Sequence, residues 1–167
     1  MTPLTTLTAI AAPLLRDGRL ADGVDTDIII PSREMRSTGR TGLADGLFAP
    51  WRYTDAVART PDPGFVLNQP AHAGAAILLA GANFGAGSSR EHAAWALAEF
   101  GIRAILAESF SPIFANNALR NGLLPVALPR PVLDALSAWV AADPQANRPT
   151  VDLAEQQVRW AGEAQAF

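Results

Sequence analysis

Apolar positions along this chain fall into two patterns. Ala75–Ala80 is an unbroken apolar run and predicts a buried strand; Arg103–Ala107 and Leu123–Leu128 predict two more. Between the first two, Arg90–Phe100 predicts a helix, because Ala93, Leu97 and Phe100 recur at i, i+4 and i+7. Ala94, Ala98 and Gly101 form a second stripe of small residues that permits close approach to a sheet. Ser111 and Pro112 open another helix that Gly122 closes. Pro131 opens a third, with Val132, Leu133, Leu136 and Val140 inward.

The order is β-loop-α-β-α-β-α, which predicts an α/β fold with a parallel core. β additions are expected at both ends. Residues 7–15 read as a strand, and Val151–Leu153 with Gln157–Trp160 as a terminal hairpin. Val24–Pro31 reads as a loop running into a short β run, Ile28–Ile30, that Pro31 stops. A chain of 167 residues fits a single domain, 1–167, with its core at about 7–160. Residues 32–70 are rich in glycine, proline and charge and predict a long irregular region, either a flexible insertion or a functional loop.

With 49% hydrophobic residues the chain can bury a real core. It has no cysteine, so disulfides, thiolate catalysis and any iron–sulfur or cysteine–zinc site supplied by this chain are excluded. All 13 basic residues are arginine, which excludes lysine Schiff bases and a P-loop. His72 and His92 are too few for a histidine metal cage. A net charge of −3 offers no field for nucleic acid or anionic lipid, so neither is an expected partner. The first 15 residues lack the basic start of a secretory leader, and no apolar run approaches the ~20 residues of a membrane span. A cytoplasmic protein is expected.

The stretch Asn83-Phe-Gly-Ala-Gly-Ser-Ser-Arg-Glu-His-Ala93 carries the most chemistry. Gly85 and Gly87 let the backbone turn tightly and approach a ligand, ahead of a helix start with free N–H groups. Ser88-x-x-Glu91 has the spacing of a capping box, which needs no function. Arg90 fits that reading poorly, since a cation in a first helical turn opposes the dipole and calls for a carboxylate or phosphate partner. Two readings stay open here: a site for a small carboxylate or phosphate, and a plain cap. The GxGxxG pattern of a dinucleotide fold is not met. A helix start and a guanidinium would also lower the pKa of a nearby serine, bringing it toward use as a base.

At this loop the sequence resembles the small subunit of isopropylmalate isomerase (3-isopropylmalate dehydratase), a swivelling β/β/α domain of the aconitase superfamily. The resemblance rests on ordered motifs: Val24-Asp-Thr-Asp-Ile-Ile-Ile-Pro31, Trp51-Arg-Tyr53, Phe65-Val-Leu-Asn-Gln-Pro70 and the glycine loop. Gly101-Ile-Arg-Ala-Ile-Leu-Ala107, Ser109-Phe-Ser-Pro-Ile-Phe-Ala-Asn-Asn117 and Asn121-Gly-Leu-Leu-Pro125 continue it. It implies a hydro-lyase of leucine biosynthesis that interconverts 2- and 3-isopropylmalate by dehydration and rehydration. It also implies that a separate large subunit, in a heterodimer or heterotetramer, carries a [4Fe–4S] cluster that acts as the Lewis acid. No cofactor is then expected in this chain. By similarity Ser88 is the base, while Arg90 and Ser89 bind a substrate carboxylate.

The sequence departs from the family pattern at Ala86, commonly Cys, and at Ser32, commonly Lys. Phe167 comes before a further segment that many bacterial members carry. A sister diacid (citraconate, homoaconitate or another alkylmalate) and a non-catalytic interaction module therefore stay open beside the main reading. Asp25 and Asp27, too few to hold a metal, are expected to position the glycine loop or Arg90. His92 reads as a packing residue or a supporting contact, and Asn116 and Asn117 as caps for neighbouring backbone. Arg33, Arg36 and Arg40 crowd the segment where the family's specificity loop falls; Arg36 or Arg40 would reach the distal carboxylate. Met35 or Leu43 would face the alkyl group. Residues 32–47, with three glycines, are expected to be mobile in the isolated chain and to have little apolar area to bury.

Overall fold

The computed structural model describes residues 4–35 and 41–167. The expected strand at 7–15 is two strands, β1 (Thr6–Thr8) and β2 (Ala11–Pro13), serving different sheets. A tight hairpin, Leu15–Arg16 with Arg19–Leu20, leads to α1 (Thr26–Ile29). After α2 (Ala49–Arg52) the alternating core begins: β3 (Ile77–Leu79), α3 (His92–Phe100), β4 (Ala104–Ala107), α4 (Pro112–Arg120), β5 (Leu124–Ala127) and α5 (Arg130–Ala142). Three strands close the chain: β6 (Thr150–Asp152), β7 (Gln157–Trp160) and β8 (Glu163–Ala166).

β2, β3, β4 and β5 pair in that order, all parallel, as the α/β reading expects. Pro13 and Pro125 lie in the two edge strands, where a missing N–H costs no ladder bond. The central strands β3 and β4 are buried along their whole length, as a sheet covered on both faces requires. Alternate residues sort to two sides. Ala12, Leu78, Ile105 and Ala107 meet Ala93, Ala94 and Leu97 of α3 and Phe114 and Ala118 of α4. Ala11, Ile77, Leu79, Leu106 and Val126 meet Leu133, Leu136 and Val140 of α5, with Val151 and Val158 behind. Those two valines belong to the antiparallel sheet β1-β6-β7-β8, the β additions at both chain ends. The terminal hairpin is thus three-stranded; Glu163–Ala166, largely exposed, has no apolar alternation to announce it.

Two further readings are corrected, the strand at Ile28–Ile30 and, of the two readings left open for residues 32–70, the flexible insertion. Ile28–Ile30 does not form a strand: Asp25 Oδ1 accepts from the Ile28 amide at 2.9 Å, capping α1, and the turn buries Ile29 and Ile30. Local capping outweighs the β-branched run. Residues 41–70 are also not a loose insertion. Leu43, Leu47 and Phe48 are fully buried in the core shared with α3. Glu34 takes a bidentate bond from Arg59, Arg52 Nη1 donates to the Ala44 carbonyl at 2.7 Å, and Tyr53 Oη donates to the Asp45 carbonyl at 2.7 Å. Leu43 cannot face a substrate from there. The glycines, proline and charges around these few apolar residues hid their burial from a periodicity reading.

Candidate active site

The glycine loop leaves the carboxyl end of β3, the side of an open α/β sheet where ligands bind. Its base is fixed by charge. Asp22 Oδ1 accepts from the Ala82 amide and from Arg130 Nη1, both at 2.7 Å, and Arg130 also meets Glu108 at 3.2 Å. The Ala82 amide, then the Arg130 guanidinium, hold the Asp22 carboxyl below the usual carboxylate range. Asp22 in turn raises Arg130. No Cβ fits at Gly81, where Asp22 Oδ1 would lie at 2.1 Å.

Phe84, fully buried, anchors the middle of the loop. Its backbone pairs across to Phe110, and its ring meets those of Phe114 at 5.3 Å and Phe110 at 6.1 Å. Gly85, at φ +84°, lies against Phe114 so closely that a Cβ would come within 2.2 Å of the ring. From here the loop runs beside residues 24–26: Gly85 N donates to the Val24 carbonyl at 2.7 Å, and Thr26 N to the Ala86 carbonyl at 2.8 Å. Gly87, at φ +109°, leaves room for the Thr26 hydroxyl, which accepts from the Ser88 amide at 2.9 Å.

Ser88 is half-buried, and its Oγ accepts from Arg90 N at 3.2 Å and Arg90 Nε at 3.0 Å. Two donors, one of them a guanidinium N–H, converge on the hydroxyl oxygen and favour its anionic form. The expected capping box does not form. α3 starts at His92 with Glu91 in the cap position, and no side chain caps it. Glu91 instead takes Arg120 at 2.9 Å and Asn121 Nδ2 at 3.2 Å, partners some thirty residues on. Ser88 therefore does not cap α3, and the backbone bond its Oγ makes is to the Arg90 amide ahead of the helix.

Arg90 and Ser89 are exposed, and among the described residues no carboxylate pairs with Arg90. The Ser89 carbonyl accepts from Asn117 Nδ2 at 3.2 Å, so Asn117 caps backbone as expected. Asp25 acts on the loop through α1, whose first residue Thr26 bonds Ser88; Asp27 is exposed and bonds nothing in the loop among the described residues. His92 packs its ring 4.8 Å from Trp95, and its Nδ1 is buried with no partner among the described residues. Arg36 and Arg40 lie outside the described residues. Thr26 is the site residue a sequence reading passes over: it stands between two aspartates that draw attention by their charge, and only its bond to Ser88 marks it.

Among the described residues, no helix is long and apolar enough to cross a membrane. Residues 15–131 match the aconitase C-terminal domain. A 3-isopropylmalate dehydratase small subunit from Cupriavidus necator is 58% identical over 158 residues, 95% of this chain and 74% of that protein. One from Parafrankia sp. is 52% identical over 167 residues, covering the whole of this chain and 78% of the relative. A solved 3-isopropylmalate dehydratase structure from Methanocaldococcus jannaschii superposes with a TM-score of 0.66 at 27% identity, over 97% of this chain and 81% of that one. The fold expected from the glycine loop and its flanking motifs is the fold found, and the chain belongs to the family of 3-isopropylmalate dehydratase small subunits, hydro-lyases built on the aconitase C-terminal domain.

Proposed function

We propose that this chain, as one swivelling domain, closes the active site of a two-subunit cytoplasmic dehydratase, with Ser88 as the base and Arg90 as the carboxylate clamp. The observation that carries this reading is the pairing of roles at one place. Arg90 Nε holds the Ser88 oxygen at 3.0 Å while the exposed guanidinium has no carboxylate partner among the described residues. A substrate carboxylate supplies that partner, and its docking sets the reacting carbon beside Ser88 Oγ. Ser89, exposed beside it, offers a hydroxyl donor to the same carboxylate.

A [4Fe–4S] cluster calls for thiolate ligands. This chain has no cysteine, and among its described residues no group of three His, Asp or Glu could replace them. Its residues do not fit the cluster, which in this reading sits on the large subunit and supplies a Lewis acid for the departing hydroxyl. The part left to this chain is proton transfer. Ser88 Oγ, ionised, removes the proton from the carbon next to the carbinol as hydroxide leaves, giving the cis-unsaturated diacid. Ser88 then returns a proton to the former carbinol carbon as hydroxide adds to its neighbour, which moves the hydroxyl between C2 and C3. Arg36 or Arg40 is assigned to the distal carboxylate on the strength of its place in the sequence.

The test is anaerobic co-expression with the large subunit, followed by the ultraviolet absorbance of the unsaturated diacid formed from 3-isopropylmalate. Turnover is expected from the complex and not from the chain alone, and Ser88→Ala should abolish it without loss of assembly. An assembled complex that turns over neither isopropylmalate, citraconate nor homoaconitate would mark the chain as an interaction module.

A further inference from the structure

We infer that Thr26 and Asn117 form a positioning pair that fixes the Ser88–Ser89 dipeptide from opposite sides; this rests on Ser88 being the base. Both side chains are buried, Thr26 at 6% and Asn117 at 4% exposure, and they come from separate helices, α1 and α4. Thr26 Oγ1 accepts from the Ser88 amide at 2.9 Å, and Asn117 Nδ2 donates to the Ser89 carbonyl at 3.2 Å. One bond thus holds the N–H entering the dipeptide and the other holds the carbonyl leaving it. Asn117 is itself held, because its Oδ1 accepts from Arg120 Nη2, and Arg120 is fixed by Glu91 at 2.9 Å.

The pair addresses a problem the local structure creates. Gly87 stands just before Ser88 at φ +109°, and the first ladder bond of α3 is Trp95 N to the Glu91 carbonyl at 3.0 Å, so residues 88–90 get no support from the helix ladder. Glycine freedom lets the loop reach its shape and equally lets it leave. A buried hydroxyl and a buried carboxamide convert a loop into a fixed mount for Ser88 Oγ, whose placement against a carbon must hold to a fraction of an ångström. Gly87 lets this pair form, since a Cβ there would sit 3.0 Å from Thr26 Oγ1. The backbone bonds Gly85–Val24 and Thr26–Ala86 do not involve the hydroxyl and survive its removal.

The experiment uses the assembled complex with its large subunit and the variants Thr26→Val, Thr26→Ser, Asn117→Ala and Ser88→Ala. Thr26→Val keeps the shape and removes only the acceptor. Its kcat should fall at least tenfold with KM within twofold, and Thr26→Ser should restore kcat to within threefold. Asn117→Ala should fall in kcat in the same way. Amide exchange of the wild-type full chain supplies a readout independent of turnover: the Ser88 N–H should be strongly protected, and a freely exchanging Ser88 amide overturns the pair even where Thr26→Val does not fold. A normal kcat for Thr26→Val, with Ser88→Ala inactive, overturns the positioning role and leaves the base assignment standing. An active Ser88→Ala overturns both.

Discussion

Arg130, at the start of α5, reaches Asp22 at 2.7 Å across 108 residues of sequence, and the same Asp22 oxygen accepts from the Ala82 amide that opens the glycine loop. The base of the glycine loop is therefore tied to the start of α5 through the Asp22 carboxylate. Asp152 is held similarly, by Arg159 at 2.8 Å and by the Glu155 amide at 3.0 Å. Both carboxyls lie below their ordinary value in the folded chain, Asp22 chiefly through the Ala82 amide and Asp152 chiefly through Arg159.

A carboxyl depressed on folding stabilises the fold above its unfolded pKa, and that contribution disappears as pH falls through the folded one. Urea midpoints of the chain should be flat through neutral pH and decline below about pH 4, the ordinary carboxylate value. Asp22→Asn and Asp152→Asn should each make the decline shallower. The effect is modest, because the Asp22 side chain is 62% exposed and solvent screens the pair. Midpoints that fell equally steeply in the variants would assign acid sensitivity elsewhere.

Gly85 and Gly101 share a positive φ, +84° and +115°, but differ in surroundings. An added Cβ at Gly101 meets nothing within 4 Å, whereas at Gly85 it strikes the Phe114 ring at 2.2 Å, and that ring belongs to a buried aromatic cluster. Gly101→Ala should cost about 1–2 kcal/mol, the backbone strain alone. Gly85→Ala should cost at least ~1–3 kcal/mol more for overpacking, and should abolish turnover by displacing Ser88. Equal denaturation midpoints for the two variants would show that the loop shifts away from Phe114 without resistance.

Arg90 separates binding from stability. It is exposed and has no ion pair among the described residues, so Arg90→Lys should change the melting free energy by no more than ~0.5 kcal/mol. Substrate should bind more weakly by about 1.5–3 kcal/mol, since one ammonium cannot reproduce a guanidinium fork. KM for isopropylmalate in the assembled enzyme, read beside a thermal melt of the chain, decides the matter. A melt lowered by several degrees with KM unchanged would make Arg90 a structural residue.

Sequence periodicity carried the part of the fold that is regular. β3, α3, β4, α4, β5 and α5 each lie within a residue or two of the pattern that announced them. It failed where a distant partner outbids a local one. Ser88-x-x-Glu91 has capping-box spacing, yet Arg120 and Asn121 draw Glu91 away, and nothing near Glu91 in the chain signals them. It failed also where burial comes without a regular element: Leu43 and Leu47 stand four apart, but Gly42, Gly46 and Pro50 interrupt any helix there, and with Phe48 the two leucines still fill the space beside α3. In the candidate site, the sequence singles out Ser88 and Arg90, and the structure brings the two into contact at 3.0 Å. Thr26 was not, because a threonine accepting one amide bond has no sequence signature.

The segment beyond residue 40 gives the last test. Glu99 lies in the final turn of α3, where an anion opposes the helix dipole. Its carboxylate accepts from the Gly42 amide at 2.9 Å and the Leu43 amide at 3.3 Å, and these two bonds give it a reason to be there. They also hold Leu43 in the core, where it is 1% exposed. Glu99→Ala should destabilise the chain by about 1.5–3 kcal/mol, as charged hydrogen bonds do, with Glu99→Gln losing less. Amide exchange should quicken at Gly42 and Leu43 while Ser88 keeps its protection, since the glycine loop is anchored separately by Thr26 and Asn117. Gly42 and Leu43 exchanging freely in the unmutated chain would show that this stretch is loose in spite of its buried leucine, and would return the expected mobility of residues 32–47 to the stretch 41–47. Protection there, lost only with Glu99, would instead make 41–47 scaffold and limit any specificity element to the residues before it.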